Sequence, residues 1–129
     1  LLITGTHFST EYINRISNLA LDRARRNDVR TVLDIDYRPV LWGLTKRGDG
    51  ETRFVSSDTV TAHLQKILPK IDLCIGTIEE FNIAGGSTDI GALTDLSTAT
   101  GAISRPTAEV TPAPAGQITF LAFSLRATP

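Results

Sequence analysis

The chain has 129 residues, 41% of them apolar and 21% charged, which suits one small domain with one buried core. Its 13 Lys and Arg against 14 Asp and Glu give no global field to draw nucleic acid or an anionic membrane surface. No apolar run nears the ~20 residues that span a bilayer, the opening Leu1-Leu2-Ile3-Thr4-Gly5 has no basic region or cleavage site of a secretory leader, and the single Cys74 fits a reducing cytosol.

Residues 1–4 read as a core strand ending at Gly5. Ser9 and Thr10 are helix-capping types, and Glu11 suits a helix start. Ile13, Ile16, Leu19, Ala20 and Ala24 then recur at helical spacing, which predicts an amphipathic helix ending at Asn27-Asp28 with those residues inward. Residues 31–36 predict a second strand. Residues 46–50 read as a polar loop. Ser57-Asp58 caps a second helix carrying Val60, Leu64, Ile67 and Leu68 and closed by Pro69. Residues 72–76 form a third strand, Gly85-Gly86 a break, and Ile90, Leu93 and Leu96 belong to a further helix capped by Ser87. This alternation predicts an α/β fold of βαβ units, with a parallel sheet and right-handed crossovers.

The composition shifts near Ser97. Residues 98–129 hold four of the six prolines and, of charged residues, only Arg105, Glu109 and Arg126. This Ala/Thr/Pro-rich tail is expected to be extended or disordered, although the apolar run at 118–125 could form a last strand. The chain starts at Leu1 and contains no Met, so it is expected to be an internal fragment: a partial domain over 1–97, then an unmatched tail over 98–129.

Chemistry concentrates at two predicted strand ends. In Asp34-Ile35-Asp36-Tyr37-Arg38, strand alternation would send Asp34, Asp36 and Arg38 to one side if the extension continues to Arg38. They sit at the carboxyl end of a strand, where open α/β sheets bind ligands, and the Arg38 fork suits a carboxylate or a phosphate. A structural alternative is an Asp–Arg pair that ties the strand end to its loop, with Trp42 as packing. In Gly76-Thr77-Ile78-Glu79-Glu80-Phe81, adjacent carboxylates could hold Mg2+ directly or through water. They could equally serve a helix N-terminus. Gly85-Gly86-Ser87-Thr88 is better read as a loop and cap than as an anion cradle. His7 follows a strand end, His63 suits surface or packing, and Cys74 suits the core.

The run Asp34, Asp36, Arg38, Leu41, Trp42 resembles the D-x-N-x-R-x-x-L-W segment of PfkB (ribokinase-like) carbohydrate kinases, with Asp36 in place of the Asn. Within that family the D-x-D-Y-R-P form and the G-T-x-E-E-F form at 76–81 are similar to the 5-dehydro-2-deoxygluconokinases. Thr77 then takes the Asn position, and Glu80 the Glu position, of the family's N-x-x-E element. The resemblance covers roughly residues 1–97 and implies a three-layer ribokinase-like fold, incomplete in this chain. It also implies use of ATP and Mg2+, and phosphoryl transfer to a keto sugar acid of inositol breakdown in the cytoplasm. By the same resemblance Asp36 and Arg38 line the substrate and phosphate cleft, and Glu80 helps organise Mg2+ and phosphate; their strand-end neighbours Asp34 and Glu79 are taken as candidates for the same two roles. The family's G-A-G-D element, which carries the general base, does not occur in this sequence, so the chain alone is expected to be inactive. The alternative from another class is a non-catalytic α/β module that binds a nucleotide or an acidic metabolite. Oligomeric state is not readable from the sequence.

Overall fold

The computed structural model describes residues 1–46 and 55–87, together with the strand at 120–124. Three short strands, β1 (Leu2–Thr4), β2 (Val32–Asp34) and β3 (Leu73–Thr77), run parallel in that order. The last strand, β4 (Phe120–Ser124), lies beside β3 and pairs antiparallel to it, Thr77 opposite Phe120. It falls inside the apolar run at 118–125. The further helix expected around Ile90, Leu93 and Leu96, and the loop at 47–50, lie outside the described residues.

Helices α1 (Glu11–Arg26) and α2 (Asp58–Ile67) connect the parallel strands. Thr10 caps α1 in extended conformation, with Glu11 in the first turn and Arg23, Arg25 and Arg26 in the last, a charge order that complements the helix dipole. The Ser57 hydroxyl accepts the Val60 N–H at 3.4 Å to start α2, and Pro69 sits in the 3-10 turn Leu68–Lys70 that follows it. Both helices pack on the same sheet face and touch each other, His63 Nε2 of α2 lying 3.2 Å from Asn14 Oδ1 of α1, while Lys70 Nζ in the turn after α2 donates to Asn18 Oδ1 at 3.0 Å and pairs with Asp22 at 2.8 Å. A third helix, α3 (Ile78–Gly85), leaves β3 directly and packs on α2, where the Thr61 hydroxyl donates to the Ile83 carbonyl at 2.7 Å.

Ile3, Leu33 and Cys74 stand in register across the three strands and face the helices. With Leu21, Ile35, Val60, Leu64, Ile67, Ile71, Phe81 and Ile83 they form one core, each large side chain contributing roughly 1.5–3 kcal/mol by its burial. Among the described residues no helix covers the opposite face, where Leu2 is 64% exposed and Val32, Leu73 and Ile75 are half-buried. The described residues thus form an α/β structure, a small sheet with three parallel strands and flanking helices, consistent with an incomplete ribokinase-like fold.

One expectation about α1 is corrected. Its buried residues are Ser17, Leu21 and Ala24, whereas Ile13, Ile16 and Leu19 lie on the solvent side, Leu19 at 60% exposure. The helix carries two apolar arcs. The arc with small Ser17 and Ala24 lets the backbone approach its neighbours closely, so it is the one that packs.

At the amino end of the sheet a buried network ties β2 to β3. Thr31 N–H donates to Asp72 Oδ2 at 2.7 Å, the Thr31 hydroxyl lies 2.7 Å from the Lys70 carbonyl, and Asp72 N–H donates to that hydroxyl at 3.1 Å. At the other end Gly5 crosses so close to β2 that a Cβ there would run into the Ile35 carbonyl.

Candidate functional site

β2 and β3 end side by side, and the backbone turns just beyond the end of β2. After Asp34 the chain continues extended for one residue, with Ile35 N–H donating to the Ile75 carbonyl at 2.9 Å. Asp36 then adopts φ 34°, in the left-handed region that a non-glycine residue rarely enters. The strand therefore does not run on to Arg38, and the condition attached to the sequence expectation is not met. The alternation of burial survives all the same: Leu33, Ile35 and Tyr37 are buried, Asp34 and Asp36 partly open, and Arg38 exposed. The Asp36 and Arg38 side chains find each other, Arg38 Nε donating to Asp36 Oδ1 at 3.0 Å, with 64% of Arg38 and 30% of Asp36 exposed.

Tyr37 anchors the turn from inside. Its ring is buried and its hydroxyl donates to the Val55 carbonyl at 2.6 Å, while burial pushes the phenol pKa up and keeps it a donor. Its N–H donates to Glu80 Oε1 at 2.9 Å. Glu80 Oε2 accepts the Thr77 N–H at 2.8 Å, and the Thr77 hydroxyl accepts the Glu80 N–H at 3.3 Å, which is a reciprocal capping box at the start of α3. Glu80 thus stands at one rim with residues 36–38, bound to the amide between Asp36 and Arg38. Glu79 is exposed on the first turn of α3, and Asp34 ends β2 on the sheet side opposite Leu33.

The remaining candidates fall elsewhere. Gly85 ends α3 and Gly86, at φ 69°, caps its carboxyl end, so the Gly85-Gly86 backbone lies at a helix terminus of the wrong polarity for an anion. Thr88 lies outside the described residues. His7 Nδ1 accepts the Thr4 N–H at 3.2 Å in a local turn. His63 packs between Phe8 and Trp42, its ring at 65° to the indole and 5.6 Å from it. Cys74 is fully buried, and burial first, then the charges of Asp34 and Glu80, push its thiol far up, so it is not a nucleophile.

Among the described residues no three His, Cys, Asp or Glu side chains converge as a metal cage. Mg2+ does not need one: it takes one or two carboxylates and keeps waters or phosphate oxygens in its other positions. Glu79 offers an exposed carboxylate, and each Glu80 oxygen retains a lone pair beside its N–H partner. The two-acceptor demand on Glu80 was not foreseen from the sequence, although the spacing Thr77-x-x-Glu80 is the signal that spells a capping box.

No described helix is long and apolar enough to cross a membrane. No protein-family model matches the chain. Curated relatives do match it. The chain is 31% identical over 91 residues to the 5-dehydro-2-deoxygluconokinase of Halalkalibacterium halodurans, covering 70% of this chain and 24% of that protein. It is 33% identical over 100 residues to the enzyme of the same name from Photobacterium profundum, covering 74% and 27%. The Geobacillus kaustophilus protein of that name is 34% identical over 83 residues, covering 64% and 21%. The matched region spans about a quarter of the length of these relatives.

Proposed function

We propose that this chain, which is related to the PfkB-like sugar kinases, supplies one rim of the substrate and metal site of an ATP-dependent kinase acting on a keto sugar acid. The substrate class is 5-dehydro-2-deoxy-D-gluconate, in inositol breakdown in the cytoplasm. The observation that carries this reading is the Asp36–Arg38 pair, held open to solvent just past the carboxyl end of β2 and tied through Tyr37 N–H to Glu80 in the first turn of α3. Ligands of open α/β sheets bind at such a rim.

Arg38 presents a planar fork of donors to the carboxylate of the sugar acid or to the phosphoryl group in transit. Asp36 accepts from Arg38 Nε and so fixes which edge of the fork faces outward. Asp34 shares that end of the strand. Glu79 and Glu80 would hold Mg2+, directly or through its waters, to supply positive charge beside the ATP phosphates. In phosphoryl transfer the protein chiefly positions reactants and stabilises spread negative charge, which is what these residues can do. No residue of the chain is assigned as general base, since the sequence has no G-A-G-D element.

Titration of the 15N-labelled chain with ATP, with and without Mg2+, tests the reading. Shifts that require Mg2+ and centre on Thr77, Glu79, Glu80 and the 36–38 turn are expected. Mg2+-independent shifts at the same turn would favour a non-catalytic module for acidic metabolites, and an unchanged spectrum at millimolar MgATP would overturn both. A coupled ATP-consumption assay with the keto sugar acid is expected to stay at blank for this chain alone.

A further inference from the structure

The Glu80 carboxylate does something that metal binding does not require. Both of its oxygens are engaged by backbone N–H groups from two different strand ends, Tyr37 at 2.9 Å and Thr77 at 2.8 Å. Tyr37 lies between the two residues of the ion pair, one of which, Asp36, sits in the left-handed region at φ 34°. Such a conformation costs on the order of 1–3 kcal/mol and persists only where the surroundings over-determine it. Three contacts do so here. Ile35 N–H is fixed to Ile75 before the residue, Tyr37 N–H is fixed to Glu80 after it, and the buried Tyr37 ring is fixed to Val55.

We propose that Glu80 is a positioning residue: its carboxylate clamps the Tyr37 amide, holds Asp36 in its left-handed turn, and thereby aims Arg38 at an anionic ligand. The claim rests on the reading of the rim as a phosphate and sugar-acid site and goes beyond it. It assigns to Glu80 a role that acts through the backbone and operates whether or not Mg2+ is present. Glutamine cannot reproduce it. The two N–H groups need two acceptors, whereas an amide offers one acceptor oxygen and turns a donor NH2 toward the other N–H.

The experiment is therefore done without metal. The wild-type chain and Glu80→Gln are titrated with inorganic phosphate in the presence of EDTA, following the Arg38 Nε–H signal, and amide hydrogen exchange is read at Tyr37 and Thr77. The core amides of Leu33 and Cys74 report that the variant is folded. The expected result is faster exchange at Tyr37 or Thr77 by roughly ten- to a hundredfold, the scale of a lost hydrogen bond to a charged group. The phosphate response of Arg38 should weaken by about tenfold or more, in keeping with the same lost bond. A wild-type response at Arg38 in Glu80→Gln overturns the clamp and leaves the site reading standing. No response in the wild-type chain overturns the anion-binding reading and the clamp's purpose together. Should the variant fail to fold, the unmutated chain still decides: a through-hydrogen-bond coupling between Tyr37 15N and Glu80 13Cδ is expected, and its absence refutes the clamp.

Discussion

Gly76 leaves the space into which Glu80 closes: a Cβ at position 76 would stand 3.1 Å from Glu80 Oε2 and 2.9 Å from Ile35 Cδ1. Both distances are tighter than ordinary van der Waals contact, and Ile35 is itself fully buried, so its side chain has little room to swing away. Gly76→Ala is expected to destabilise the chain by about 1–3 kcal/mol, the usual cost of overpacking. It should also loosen the Tyr37 amide. Urea unfolding together with exchange at Tyr37 checks both; an unchanged midpoint with full protection would contradict the packing argument.

At the amino end of the same two strands, Thr31 and Asp72 form a buried polar network remote from the rim. Thr31→Val keeps the shape and removes a hydroxyl that serves the Lys70 carbonyl and the Asp72 N–H. The Asp72 N–H keeps the Thr31 carbonyl as acceptor at 3.0 Å, but the Lys70 carbonyl loses the hydroxyl's donation; an unmet buried group costs about 1–3 kcal/mol, so the urea midpoint should fall by a corresponding amount. The MgATP response at the rim should be retained. Loss of that response without loss of stability would mean the two ends of the sheet are coupled in a way the hydrogen bonds do not show.

His63 and Trp42 give the molecule an optical reporter, since Trp42 is the only tryptophan. Burial, with a smaller effect of the Lys66 charge, holds the imidazole below its ordinary 6.5. Asn14, Phe8 and Trp42, its described hydrogen-bond and ring partners, carry no negative charge that would favour the charged ring. The sign follows from linkage. The unfolded chain takes up this proton first as pH falls, so the contribution of His63 is present above about 6.5 and is lost as pH drops toward the lower folded value. Trp42 fluorescence should therefore titrate with a midpoint below 6.5 in the folded chain, and His63→Gln should flatten both the optical transition and this part of the stability profile. A midpoint above 6.5 would refute the burial account.

The α/β alternation, the capped start of α2 and the placement of acidic and Arg residues at strand ends were legible because each rests on local spacing. Thr77, three residues before Glu80, even spells the cap that forms. The outward turn of Ile13, Ile16 and Leu19 was not legible. Helical periodicity shows that α1 has apolar arcs, but which arc meets the sheet depends on how closely Ser17 and Ala24 allow approach. Nor could period-two alternation foresee the left-handed Asp36, since that conformation is imposed by a carboxylate 44 positions away. A long-range hydrogen bond to a backbone amide leaves no periodic trace in the sequence.

The ion pair at the rim should separate stability from binding. Arg38 and Asp36 meet at 3.0 Å but are 64% and 30% exposed, and exposed pairs contribute at most about 1 kcal/mol. Arg38→Lys retains the charge and loses the planar fork, so the unfolding midpoint should barely move while the phosphate response weakens markedly. Asp36→Gly removes the carboxylate and relieves the left-handed backbone at once. Its stability should hold or rise, because relief of strain offsets the weak pair, whereas Arg38, freed from its acceptor, should lose its fixed orientation and bind phosphate less selectively against sulfate. If Asp36→Gly instead destabilises the chain by more than about 1 kcal/mol, the pair is a structural tie of the strand end, and Arg38 belongs to the fold before it belongs to a ligand.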